Sequence, residues 1–196
     1  MIKTTNELMY EYSNYASPKN KIERLVDEKK LFPIIRGLYE TEEHVDGCYL
    51  ASSICGPSYL SFDYALAYYG LIPEIVYACT SATYSKNKSK TFTTPFGLFM
   101  YYDVPKDAFP YGIKFVKNDC YSFCIASPEK AMCDKLYTLP PAKDVDDLKL
   151  VLLEDLRVPD FMLYDFNKKD VSFLAKKYHC RNVWLFDKLL RRDYNE

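Results

Sequence analysis

Three constellations in this chain have the residue types that catalysis uses. Asp144-Val145-Asp146 offers the paired carboxylates that hold magnesium in a nucleotidyltransferase, yet such a site also needs a Gly-Ser turn shortly upstream to hold phosphates, and none precedes it. These acids are read instead as the start of a helix. Pro159-Asp160 opens a PD…(D/E)xK-like nuclease pattern, but Asp165 is followed by Asn167, so the lysine falls one position late at Lys168. Cys55, in SSICGPS, needs a base to act as a nucleophile, and His44 and His179 are the chain's two histidines. No phosphate-cradling glycine loop occurs. The chain is read as a non-enzyme that uses no cofactor and no metal.

Recognition chemistry is better represented. In KIERLVDEKKLFPIIRGLYET, Lys21 to Thr41, residues set at about 100° intervals around a helix put Ile22, Leu25, Val26 and the stem of Lys29 on one face. Asn20 and Arg24 then lie opposite, where Asn can pair with adenine and Arg with guanine in a major groove. Lys19, Lys21, Lys30 and Arg36 are the candidate phosphate contacts. The LFPIIRGLY run directly after the helix, with Arg36 at its tip, has the form of a wing. Residues 1 to 40 carry seven Lys/Arg against six Asp/Glu, a thin electrostatic footprint for DNA. The competing reading is a winged-helix-like module that contacts protein rather than DNA.

Two further groups stand out. SKNKSK places Lys86, Lys88 and Lys90 on a hairpin within residues 84 to 118, which hold six lysines and two aspartates and are read as the chain's main basic face. In SPEKAMCDKLY, Ala131, Met132 and Leu136 are expected inside, whereas Lys130 and Asp134, four residues apart, are expected to pair across one turn of a solvated face.

The elements that position these residues follow from local signals. Helices are predicted over Thr5 to Tyr12 and from Ser17-Pro18 to about Lys29, then strands over Leu31 to Ile35 and Leu38 to Thr41, meeting at Arg36-Gly37. Leu50 to Ile54 reads as helical up to Gly56-Pro57. Ser61 is expected to cap a helix through Tyr69 that Gly70 ends, with Pro73 beyond. Strands are predicted at Ile75 to Ala82, Lys90 to Thr94, Leu98 to Val104 and Tyr121 to Ile125. Ser127-Pro128-Glu129 opens another helix. From Asp144 the pattern is helical, broken near Val158-Pro159. A helical head, a stranded middle and a helical tail make an α+β chain, divided here into residues 1–44 and 45–196.

Four runs in order, KIERLVDEKKLFPIIRGLYET, YLSFDYALAYYGLIPEIVYACTSAT, PFGLFMYYDVP and IASPEKAMCDKLY, resemble the AbiEi family of antitoxins. The resemblance spans roughly residues 17 to 140, and pairing ALAYYGLIPE with SPEKAMCDKLY makes it specific. It implies an N-terminal winged helix-turn-helix, here shortened to one helix before Ser17, followed by an antitoxin domain. It further implies a transcriptional autorepressor that binds its own promoter and counteracts a nucleotidyltransferase-like toxin in a type IV system, where no stable toxin complex is required. By analogy with the family, the helix carrying Lys130 and Asp134 would belong to the toxin-opposing surface; Lys86, Lys88 and Lys90 join that surface on their local charge, which could touch DNA backbone or an RNA-bound toxin. The alternative is an interaction-only antitoxin or adaptor that does not bind DNA.

Composition bounds the rest. The net charge of −1 gives no whole-chain attraction to nucleic acid or anionic membrane, so any such binding is local. No apolar run approaches the roughly 20 residues of a membrane span, and MIKTTNELMYEYS lacks a signal peptide's apolar segment, which predicts a cytoplasmic protein. Seven cysteines (48, 55, 79, 120, 124, 133 and 180), an odd number without a CxxC pair, read as reduced, mostly buried thiols. The nineteen tyrosines suit half-buried boundaries.

Overall fold

Thr4 ends a first short strand, β1 (Ile2–Thr4), and caps the adjoining helix, α1 (Thr5–Glu11). Its hydroxyl accepts the Glu7 amide while the Glu7 carboxylate accepts the Thr4 amide at 2.7 Å, a reciprocal capping box. Helix α2 (Pro18–Asp27) begins where Ser17-Pro18 predicts, with Ser17 Oγ accepting the Asn20 amide. Strands β2 (Phe32–Ile35) and β3 (Leu38–Glu40) meet at Arg36-Gly37, where Gly37 takes φ +87°. The sheet order is β1-β3-β2. The head is thus two helices followed by a hairpin whose second strand pairs with the strand before the first helix.

This computed structural model describes residues 1–118 and 121–194; Cys120 lies outside them. Leu8, Ile22, Leu25 and Leu31 form a small core of their own beneath α1 and α2. Ile34 and Leu38 instead join the main core, so the hairpin is shared between the head and the rest of the chain.

A turn at Gly47–Tyr49 leads to α3 (Ala51–Ile54), and then β4 (Tyr59–Leu60), α4 (Phe62–Tyr68), β5 (Cys79–Thr83), β6 (Lys90–Thr94), β7 (Gly97–Asp103), β8 (Ile113–Asn118) and β9 (Tyr121–Ala126). They form one sheet in the order β6-β7-β5-β4-β9-β8. The β5–β7 and β4–β9 pairs are parallel and the others antiparallel. Two expectations need correction. The strand predicted from Ile75 begins only at Cys79, opposite Phe99, and Ile75 and Tyr77 before it are 78% and 86% exposed. Ser61 stands at the start of α4 but makes no side-chain cap bond. Thr80 of β5 does that work: its hydroxyl accepts the Tyr64 amide at 3.0 Å and donates to Ser61 O at 2.6 Å, freeing the Ser61 hydroxyl for a partner elsewhere.

Helix α5 (Pro128–Thr138) opens at Ser127, whose Oγ accepts the Lys130 amide. It is buried on almost every side, Glu129 through Asp134 and Leu136 included, because β9 and α4 cover one flank while α7 (Lys168–Tyr178) and α8 (Arg181–Asp193) cover the other. Between them run α6 (Val145–Leu150), a π turn at Val151–Asp155 and a 3-10 turn at Asp160–Asp165, with the predicted break at Val158-Pro159. Asn182 of α8 fastens the end of α5. Its amide donates to Leu136 O and Pro140 O at 3.1 and 3.0 Å, and its carbonyl accepts the Ala142 amide at 2.8 Å. Leu136 O otherwise accepts only a long bond from the Leu139 amide, at 3.4 Å, and the chain after the helix turns away, so a buried asparagine supplies the missing donors. The fold is α+β with a helical C-terminal region, and among the described residues no helix is long and apolar enough to cross a membrane.

Candidate nucleic-acid interface and a buried polar centre

Helix α2 presents the faces its sequence predicts. Ile22 and Leu25 are buried, whereas Lys19, Asn20 and Arg24 are exposed. The cations around it are not equally available. Arg24 Nε lies 3.1 Å from Glu28 and Lys30 Nζ 2.9 Å from the same carboxylate, which those two cations hold below the usual carboxylate range. An exposed pair of this kind is weak and screened by solvent, so an incoming phosphate or guanine can take over Arg24 at little cost. Lys21 Nζ stands over the Tyr15 and Tyr12 rings at 5.2 and 6.0 Å. Arg36 is exposed, but the turn that carries it is short and tethered, since Gly37 O accepts the Thr5 amide at 3.0 Å. The hairpin therefore lies close against the start of α1 and does not project as a long wing.

SKNKSK is not the tip of a hairpin: it is the loop between β5 and β6, which are separated in the sheet by β7, and it is braced from below. Asp103 accepts the amides of Lys86 and Asn87, both at 2.7 Å, together with the Thr83 hydroxyl at 2.7 Å. Lys86 Nζ donates to Gly56 O at 3.2 Å, which leaves Lys88 as the fully exposed lysine of the three. Residues 84 to 118 are not the main basic face. Residues 168 to 192 carry eight Lys/Arg against two Asp, and sequence reasoning misses them because they are spread along two amphipathic helices instead of one loop.

Lys130 and Asp134 are the largest departure from expectation. Both are fully buried, so neither lines a toxin-opposing surface. Lys130 Nζ lies 3.4 Å from Asp134 Oδ1, donates to Ala108 O at 2.9 Å, and donates to the Tyr178 hydroxyl. The Tyr178 hydroxyl in turn donates to Asp134. Asp134 Oδ2 also accepts Ser61 Oγ at 2.6 Å and the Tyr59 hydroxyl at 3.1 Å. Lys130 further sits 4.6 Å from the centre of the Tyr178 ring and 5.6 Å from that of Tyr59. Burial pushes the Lys130 ammonium pKa down, with the Asp134 charge opposing that shift, and burial beside Asp134 pushes both tyrosines well above their ordinary value. Every member of the cluster has a partner, and the cluster joins α5 to β4, to the loop at Ala108 and to α7. A closed, satisfied network of this kind specifies one packing arrangement and leaves no open position for a substrate.

Asp144 caps α6, accepting the Asp146 and Asp147 amides at 3.0 and 2.9 Å, and Asp146 pairs with Arg192 at 2.7 Å. Cys55 is buried, while His44 and His179 are exposed. A cleft of about 520 Å³ beside the Asp63–Lys135 ion pair is lined by none of the residues singled out from the sequence. No protein-family model matches the chain, and no curated protein matches it.

Proposed function

We propose that this protein is a DNA-binding regulator of the AbiEi antitoxin type, repressing its own promoter and counteracting a nucleotidyltransferase-like toxin without requiring a stable complex with it. One observation carries the reading: α2 buries Ile22 and Leu25 while exposing Asn20 and Arg24, and a hairpin paired back to β1 comes directly after it. That combination supports a reading helix held at a fixed angle by its own small core. The test is expression beside a neighbouring toxin gene. The protein restores growth and lowers expression from its own promoter, and Asn20→Ala/Arg24→Ala loses the second effect.

A second reading, an interaction-only antitoxin, is favoured by the pairing of Arg24 and Lys30 with Glu28 and by the tethered turn at Gly37. Under it the same variant restores growth and the wild-type protein leaves the promoter unaffected.

A further inference from the structure

Charge in this chain is divided unevenly. Residues 168 to 192 carry eight Lys/Arg and two Asp, a net +6; since the whole chain carries −1, everything outside that segment carries −7. Such asymmetry gives one face a field opposite in sign to the rest of the molecule and draws anionic polymers to it.

The side chains on α7 and α8 differ in what they have left to offer. Arg181 is committed to the carbonyls of Ala142 and Lys143, and Arg192 to Asp146 and Asp193. Lys168, Lys169, Lys176, Lys177 and Lys188 make no ion pair among the described residues. Between the two helices lies an open cleft of about 450 Å³ walled by Lys168, Lys169, Lys176 and Arg191, with Ser172 and Phe173 completing it. Arg191 is held ready: Asp187 accepts its Nε at 3.1 Å, and a terminal nitrogen donates to Ser172 Oγ at 2.6 Å. Its side chain still remains 60% exposed, and Asp187, the acid facing the cleft from α8, is occupied by Arg191 and Ser172. Phe173, 43% exposed, packs edge-on against Tyr111 at 4.9 Å.

We infer that the α7–α8 cleft binds a single-stranded nucleic acid, its phosphates on Lys168, Lys169, Lys176 and Arg191 and a base against Phe173. Cations alone would suit any polyanion; an exposed aromatic ring beside them suits a strand whose bases are unstacked and free to pack on it. A duplex keeps its bases stacked and out of reach of such a ring. The sole tryptophan, Trp184, lies on α8, 48% exposed with Lys188 Nζ 3.7 Å from the centre of its ring, and supplies an intrinsic reporter beside the face.

The inference does not depend on the head reading duplex DNA, and the experiment keeps the two apart. Full-length protein is titrated with 12-nucleotide oligouridylate, 12-nucleotide oligothymidylate, a 12-base-pair duplex and polyglutamate, following Trp184 fluorescence and the anisotropy of labelled strands, in parallel with Asn20→Ala/Arg24→Ala. Single strands bind at low salt and the head variant binds them equally. Lys169→Glu/Lys176→Glu, both at exposed positions, weakens binding at least tenfold and flattens the salt slope by about 1.4, two contacts at about 0.7 each. Phe173→Leu, which keeps the contact with Tyr111 apolar, weakens single-strand binding about tenfold while a cation-only site would be unmoved. Preference for ribose over deoxyribose strands would name RNA as the ligand, and the reverse preference DNA. Binding of polyglutamate, or of duplex by the Asn20→Ala/Arg24→Ala variant, as tight as that of the single strands, insensitivity to Phe173→Leu, or no single-strand binding at low salt would each overturn the assignment.

Discussion

Lys130 Nζ and Asp134 Oδ1 stand 3.4 Å apart, one helical turn from each other, with neither side chain exposed to solvent. A pair at this spacing on a helix surface contributes roughly 0.3–0.5 kcal/mol. Buried, each partner is what makes the other tolerable, because a lone charge in the interior forfeits its hydration with nothing in return.

Removing both charges is therefore expected to cost less than the sum of removing each alone. Lys130→Met and Asp134→Asn should each destabilise by about 3–5 kcal/mol, and the double variant by less than their sum, with a coupling of about 1–3 kcal/mol. Urea denaturation of the four proteins measures this. Strict additivity would show that the pair is not a unit.

Gly112 sits against the same lysine. Its φ is +68°, and a Cβ built on it would lie 2.8 Å from Lys130 Cβ. Its carbonyl accepts the Ser127 amide at 2.7 Å, fixing the loop to the start of α5. Gly112→Ala combines a left-handed backbone with a collision against a buried, immobilised side chain, and should cost about 2–3 kcal/mol. Thermal unfolding of the variant that matches wild type would contradict the close approach.

Alkaline pH should destabilise the fold before it affects an exposed-thiol protein. Burial, helped by the Asp46 charge, pushes the Cys48 and Cys79 thiols up to about 12 from 9.0, and Tyr59 and Tyr178 are raised well above 10.0. A group whose folded pKa is raised contributes fully below its unfolded pKa and loses that contribution as pH climbs toward the folded value, since only the unfolded chain releases the proton. Lys130, lowered by burial, works in the opposite direction and is outnumbered by the raised thiols and phenols, Cys133, Tyr64 and Tyr101 among them. Under reducing conditions the melting temperature should hold below pH 9 and fall from there toward pH 12. A melting temperature that is flat or rising from pH 9.5 to 11 would contradict this.

Local signals in the sequence locate most helix starts: Ser17-Pro18, Ser127-Pro128 and Asp144 all stand where helices begin, because a side-chain oxygen beside the first free amides is a local requirement. Ser61 shows the limit of that logic. A hydroxyl from β5 satisfies the α4 amide instead, and Ser61 turns inward to Asp134. Lys130 and Asp134 are legible as a pair but not as a buried one, since the elements that enclose α5 are β9, α4, α7 and α8, separated from it in sequence by up to tens of residues. Strand β8 escapes sequence reasoning for the opposite reason: it is a sheet edge whose exposed Lys114, Phe115 and Lys117 blur the two-residue alternation. The basic cleft of α7 and α8 requires the two helices to be brought side by side.

The head's two arginines should fail differently. If α2 reads DNA, Arg24→Ala is expected to cost about 1–3 kcal/mol and preference at one base pair, whereas Arg36→Ala, removing a phosphate contact, is expected to weaken all sequences alike and lower the salt slope by about 0.9.

The central claim, that α2 reads the protein's own promoter, is tested most directly by the anisotropy of a labelled duplex from the region upstream of its gene, titrated with wild type, Arg24→Ala and Arg36→Ala at several salt concentrations. The account predicts salt-sensitive binding that exceeds binding to a scrambled duplex. Arg24→Ala should narrow the gap between the two duplexes, and Arg36→Ala should weaken both equally. Wild type that shows no salt-sensitive preference for its upstream duplex at low ionic strength would contradict the claim and leave the interaction-only reading in its place.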